Sequence, residues 1–259
     1  MSDNIESPTV SSGRVVIITG GGQGIGRAFA KGFAAHGAKV VIAEINDEKA
    51  RAVAAEITAE GGSALSVRTD VSDPASVEAM AKAATDAFGR IDVLVNNAAI
   101  FSTLKMRTFD HIPFEEWNAV MAVNVTGVML AAKACLPAMR AAQWGRIINI
   151  ASAAVTIGRP MYLHYTTSKA AVIGMSRSMA RELGKDGITV NSILPGATFT
   201  EVPRETVSPQ QKEQILSMQC IPRHEKPEDL VSAALILASD GAGFITGQSL
   251  TVDGGTSHL

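Results

Sequence analysis

Apolar runs of strand length recur along the chain, each followed by a longer stretch whose apolar residues fall at helical spacing. The runs lie at 14–19, 39–43, 63–69, 91–95, 146–150, 188–194 and 249–252, and most are nearly continuous rather than alternating apolar with polar. A strand that alternates has one wet face, whereas a continuous one is buried on both, which calls for helices on either side of a parallel sheet. Helical stretches at 27–36, 47–60, 73 to about 89, 114–142, 165–185 and 227–238 supply those layers. Gly37 and the pair Gly61-Gly62 stop two of them, and Asp73-Pro74 opens a third in cap-then-proline order. The pattern predicts an α/β fold with a doubly wound parallel sheet, in one domain over 14–259 behind a polar tail at 1–13. No repeat, low-complexity segment or linker interrupts it.

At 259 residues the chain can bury a full core without staples. Its 23 Lys and Arg against 25 Asp and Glu give a net charge of -2, without the basic excess of a dedicated nucleic-acid binder. Mean hydropathy is mildly apolar at +0.17, yet no run approaches the ~20 uninterrupted apolar residues of a membrane span. Cys135 and Cys220 match no zinc or redox spacing, no metal-ligand set stands out, and the N-terminus lacks the pattern of a signal peptide. A reducing cytoplasm with both thiols free is the expectation.

Between the first run and the first helix stands Thr19-Gly20-Gly21-Gly22-Gln23-Gly24-Ile25-Gly26. Glycines there allow a tight turn and let the backbone approach a pyrophosphate, while the next helix offers free N–H groups to it. The spacing is G-x-x-x-G-x-G rather than the commoner G-x-G-x-x-G, and a ligand-free strand-to-helix turn could carry the same glycines. Its place between strand and helix is what points to a dinucleotide. Glu44 ends the second run, where a carboxylate can accept both ribose hydroxyls of an adenosine and repel a 2′-phosphate. Arg27, just past the turn, is read as a solvated helix position. The expected cofactor is NAD rather than NADP.

Tyr165 and Lys169 stand at i and i+4 and so share one helix face. Alone, such a pair is an ordinary surface pair. Here Ser152 follows the fifth run, at the sheet edge where α/β folds place ligands. A tyrosine with a pKa of ~10 is a poor base at neutral pH unless nearby cations favour the phenolate. The trio therefore suits hydride transfer coupled to proton transfer, with Ser152 hydrogen-bonding the substrate oxygen.

Together, Thr19 to Gly26, Asn96-Asn97-Ala98-Ala99, Asn124, Ser152, Tyr165-Thr166-Thr167-Ser168-Lys169 and Pro195-Gly196 resemble the short-chain dehydrogenase/reductase family, over residues 13–255. The resemblance implies a Rossmann-type domain with about seven strands. It implies that Tyr165 is the acid/base, that Lys169 binds the ribose and lowers the tyrosine pKa, and that Ser152 polarises the substrate oxygen. Asn124 would hold a water that relays protons to Lys169. The cofactor would lie along Gly20, Gln23, Gly24, Ile25 and Gly26, with Glu44 at the adenosine ribose. Asp70 and Val71 would line the adenine site, Asn97, Ala98 and Ala99 the sugar beside it, and Pro195, Gly196 and Thr198 the nicotinamide. Ala99 stands where the family usually has glycine, which puts local backbone geometry in question. A homotetramer is implied as well, built from the helices at 114–142 and 165–185 and the segment 247–255.

In the family the substrate pocket is lined by segments matching 100–106, 153–163 and 196–218. Here they supply Phe101, Leu104, Met106, Val155, Ile157, Met161, Leu163, Phe199, Val202 and Met218. The set suits a moderately sized apolar secondary alcohol or its ketone better than a sugar, with Met161 and Phe199 expected at the substrate. Arg159 could meet a carboxylate but reads more simply as a solvent-facing loop residue, and His164 and Tyr162 as structural. A substrate lid is expected near 197–222. The expected activity is NAD-dependent oxidation of such alcohols. An NADPH-dependent 3-oxoacyl reductase or a polyol or sugar dehydrogenase of the same family is the alternative. A non-catalytic dinucleotide-binding regulator fits less well, because the whole tyrosine, lysine and serine set is kept.

Overall fold

The computed structural model describes residues 12–203 and 209–257. The chain runs β1 (Val15–Thr19), α1 (Gly24–Ala35), β2 (Lys39–Glu44), α2 (Asp47–Ala59), β3 (Ser63–Arg68), α3 (Pro74–Phe88) and β4 (Val93–Asn96). It continues α4 (Phe114–Met121), α5 (Gly127–Ala142), β5 (Gly145–Ile150), α6 (Ala154–Ile157), α7 (Leu163–Leu183) and β6 (Ile188–Pro195). The last elements are α8 (Pro209–Met218), α9 (Pro227–Ala238) and β7 (Ser249–Val252). All seven strands form one parallel sheet in the order β3-β2-β1-β4-β5-β6-β7. This is a Rossmann-type, doubly wound sheet, and its order reverses direction between β1 and β4, the crevice where such sheets place ligands.

The apolar runs are buried on both faces, as their composition requires. On β1, Val16 and Ile18 point into one core with Phe29 and Phe33 of α1 and Leu230 of α9. Val15 and Ile17 point the opposite way, onto Met80 of α3, Cys135 and Met139 of α5, and Leu183 of α7. Each fully buried Ile or Val contributes roughly 1.5–3 kcal/mol relative to exposure. The caps are those the sequence announces: Asp73 Oδ1 accepts from Ala75 N at 3.0 Å ahead of Pro74, and Gly89 closes α3 in left-handed backbone at φ 77°.

Several elements depart from the expected ones. The first helix begins at Gly24, not 27, because glycines carry no apolar periodicity to reveal it. The stretch 114–142 is interrupted by a π-helical turn at Ala122–Thr126, and α6 forms where no helix was expected. The stretch Phe114–Ala142 is long and apolar enough by composition to cross a membrane, but it carries Lys133 and packs along part of its length against α3 and the sheet. Of the lid expected near 197–222, residues 204–208 lie outside the described residues and 209–218 form α8. The expected tail at 1–13 lies almost wholly outside them too.

Candidate active site

The glycine turn is packed so closely that side chains cannot be added. A Cβ on Gly26 would stand 2.0 Å from the Gly20 carbonyl oxygen, and one on Gly20 would stand 2.8 Å from the Ala98 Cα. Gly20 also takes left-handed backbone, φ 64°. Across the crevice, the end of β4 is laced to this turn. Asn97 Nδ2 donates to the carbonyls of Thr19 and Gly20, both at 3.1 Å, and the Thr19 hydroxyl accepts from the Asn97 and Ala98 amides. Ala99, in place of a glycine, takes no positive φ, so the methyl brings no backbone strain.

At the start of α1 the Gln23 side chain makes no cap, and the Gly24 amide donates to Glu201 Oε1 at 2.9 Å. A carboxylate thus occupies the position where a helix N-terminus holds a phosphate. The cleft here encloses about 380 Å³ and is lined by Gly20, Gln23, Gly24, Ile25, Gly26, Glu44, Asp70, Val71, Asn97, Ala98 and Ala99, among others. Its glycine floor and anion-accepting helix end fit a dinucleotide.

Glu44 is buried at the end of β2, where Oε2 accepts from Gly22 N at 3.2 Å and Oε1 from Asn46 N at 3.1 Å. Asp70 is fixed by Ser72, whose amide and hydroxyl donate to Oδ1 at 2.9 and 2.6 Å. One cation reaches this end that linear spacing did not place there: Lys49 of α2, whose Nζ donates to Gln23 Oε1 at 2.5 Å. Arg27 is turned onto Glu56, at 2.6 Å.

Tyr165 and Lys169 are one turn apart on α7, both buried. The Lys169 ammonium lies 5.8 Å from the centre of the Tyr165 ring and donates to the Ile150 carbonyl at 2.6 Å. Burial pulls its pKa down to about 8. Ser152, just past β5, accepts from Ala154 N at 3.1 Å, which leaves its own proton to be directed elsewhere. Asn124 sits in the π-helical turn, and such turns gather at functional sites. Its Nδ2 donates to Ser168 Oγ at 3.1 Å and to Ile100 O at 3.2 Å, and its Oδ1 accepts from Ile100 N at 2.8 Å. The Asn124 side chain therefore clamps the loop after β4 to α7.

Pro195 ends β6, and just beyond it Gly196 and Thr198 are held by Glu225, a buried acid the linear sequence does not mark. Its carboxylate accepts from Gly196 N at 3.0 Å and from the Thr198 hydroxyl at 2.7 Å. Burial pushes its pKa up to about 7, although those hydrogen bonds oppose the shift.

A second cavity of about 450 Å³ brings Ser152, Tyr165, Lys169, Pro195, Gly196 and Thr198 onto one wall. It shares Ile25, Asn97, Ala99 and Phe101 with the dinucleotide cleft. Of the apolar residues expected at the substrate, Phe101, Met106, Ile157 and Met218 line it, and Val202 lines the cleft. Leu104 packs beneath, beside Tyr162 and Tyr165. Met161 and Phe199 do not line it: Met161 is partly exposed in left-handed backbone, and the Phe199 ring packs edge-on against His224. Arg159, read from sequence as a solvent-facing residue, is on the cavity wall. His164 is fully buried with Nε2 3.3 Å from Glu116 Oε1, away from the cavity.

The family described as Enoyl-(Acyl carrier protein) reductase matches residues 20–257. A 3-oxoacyl-[acyl-carrier-protein] reductase of Synechocystis is 40% identical over 95% of this chain and 98% of its own length. A (2S)-[(R)-hydroxy(phenyl)methyl]succinyl-CoA dehydrogenase subunit of Thauera aromatica is 40% identical over 94% of this chain and 96% of its own. Among solved structures, a 7α-hydroxysteroid dehydrogenase complexed with NADH and 7-oxo glycochenodeoxycholic acid superposes with a TM-score of 0.89. It is 35% identical over 94% of each chain.

Proposed function

The chain belongs to the short-chain dehydrogenase/reductase family, oxidoreductases of CH–OH and keto groups that work with a nicotinamide cofactor. On that premise we propose that it transfers a hydride between NAD and a moderately sized apolar secondary alcohol or its ketone. One observation carries this reading. Ser152 and Tyr165 face a largely apolar cavity that is continuous with the glycine-floored cleft.

The bound nicotinamide supplies the hydride acceptor in the oxidation direction. Tyr165 Oη takes the substrate hydroxyl proton as the C–H bond breaks. Ser152, its oxygen already accepting from Ala154 N, donates to the same substrate oxygen and fixes its position. The Lys169 ammonium below the ring favours the phenolate. Asn124 acts as a positioning residue that holds α7 against the loop after β4, and it would hold the water that relays protons to Lys169. Glu44 accepts the adenosine ribose hydroxyls, and Gly196 and Thr198 border the nicotinamide on a segment held by Glu225. Cys135 is buried in the core and Cys220 is exposed, and a reducing cytoplasm is part of this reading.

A second reading, an NADPH-dependent 3-oxoacyl reductase, draws support from Lys49, a cation within reach of the turn that Glu44 closes. The two separate in one assay: nicotinamide absorbance with NAD and NADP against apolar secondary alcohols, polyols and 3-oxoacyl thioesters. NAD-dependent turnover of the apolar alcohols, at a kcat/KM at least tenfold above that with NADP, is expected. Turnover confined to NADPH and thioesters, or to polyols, would replace this reading.

A further inference from the structure

We propose that the cavity beside Tyr165 takes substrates bearing a carboxylate, or an anion of like geometry, at the end remote from the reacting carbon, and that Arg159 binds it. The proposal rests on the reading of this cavity as the substrate site. Its described wall carries two cations, Lys169 and Arg159, and no carboxylate. Lys169 is already committed beneath Tyr165, to the Ile150 carbonyl. Arg159 is the cation left to face a ligand, and among the described residues it takes part in no ion pair.

Its placement is built rather than incidental. Gly158 ends α6 in left-handed backbone at φ 62°, and the Arg159 amide then donates back to Ala154 O at 3.1 Å. The guanidinium carbon lies 4.5 Å from the centre of the Tyr162 ring and 5.9 Å from that of Phe101. Tyr162 is fully buried, so the aromatic platform is fixed. An arginine resting on rings engages them through its face and keeps its edge N–H donors for a planar anion. Those donors match a carboxylate in two parallel hydrogen bonds.

Phe101 also sets the distance to the chemistry. Its ring is 4.4 Å from that of Tyr165, so the guanidinium stands no farther from the Tyr165 ring than the two ring separations laid end to end. The same cavity is also lined by the apolar side chains of Met106, Ile157 and Met218. A substrate with an apolar body, a keto or hydroxyl group at Tyr165 and an anion at Arg159 matches that set of surfaces.

The test compares 4-oxo-4-phenylbutyrate with its methyl ester, as ligands of the NADH-loaded protein by calorimetry and as substrates by NADH absorbance. The reduced nicotinamide ring is uncharged and adds nothing to an acid preference. The acid is expected to bind roughly tenfold to a hundredfold more tightly than the ester, with the difference in KM rather than kcat. Arg159→Gln should bring the acid-to-ester ratio to about one, and Arg159→Lys should keep part of it, since an ammonium retains the charge but loses the fork. A wild-type ratio near one, or a ratio that survives Arg159→Gln, overturns the proposal. Turnover of the ester without acid preference removes the anion site and leaves the dehydrogenase reading standing. Acid-selective binding without turnover of either compound does the reverse.

Discussion

Lys169 lines the cavity and Glu225 holds Gly196 and Thr198 of its wall, and burial moves both groups toward neutrality. For Lys169 a pKa lowered to about 8 by burial still leaves the ammonium as the main form at neutral pH, under Tyr165 and against the Ile150 carbonyl. For Glu225 the consequence is a pH-dependent stability with a definite sign. Its pKa rises from 4.5 to about 7 on folding, so the folded state binds the extra proton. That contribution is complete below 4.5 and is lost as pH rises through about 7. Glu225→Gln should therefore flatten the fall in urea midpoint of the apoprotein between pH 5 and pH 7.5. An unchanged slope would show that this carboxyl titrates normally. The tyrosine and lysine were legible from sequence because helical spacing alone puts them on one face. Glu225, Glu201 and Lys49 were not, because their partners lie on segments remote in sequence, and no periodicity connects Glu201 with Gly24 or Glu225 with Thr198.

Elements were legible where apolar pattern and caps agree. Both-face burial of β1 and β4 follows from their nearly continuous Val, Ile and Leu content, whereas β5 and β6 are buried end to end although they carry Arg146, Asn149, Thr189, Asn191 and Ser192; Asp73, Pro74 and Gly89 fix α3. The π-helical turn at Ala122–Thr126 left no such trace, since its residues are as apolar as the helix around them; its reason is positional, turning Asn124 onto Ile100 and Ser168. Nor did the pattern resolve which loop residues meet the cavity. Met161 and Phe199 were expected there on chemistry, but local backbone and the His224 ring turn them elsewhere. The helices also leave apolar side chains uncovered, including Phe114, Met129 and Leu163, and Leu250 of β7 adds to them. We propose that a homotetramer covers these faces, with sedimentation equilibrium giving four times the chain mass. A monomer at micromolar concentration would contradict that assembly.

At the scale of the whole molecule, one topological fact organises the rest. The sheet order reverses between β1 and β4, and the crevice there receives the glycine turn, Asn97 and the cleft that Glu44 borders. The cavity beside Tyr165 adjoins that cleft because β5 and β6 run parallel beside β4 and end at the same edge, delivering Ser152 and Pro195 to it. We propose Tyr165 as the group that takes the proton while the cofactor takes the hydride. The most direct test is the rate of NADH formation from 1-phenylethanol by wild type and by Tyr165→Phe, with NADH affinity followed by fluorescence. The variant should lose roughly 10²–10⁴-fold in kcat while binding NADH as tightly as wild type. A variant that keeps most of its turnover would contradict the assignment of Tyr165 and the mechanism built on it.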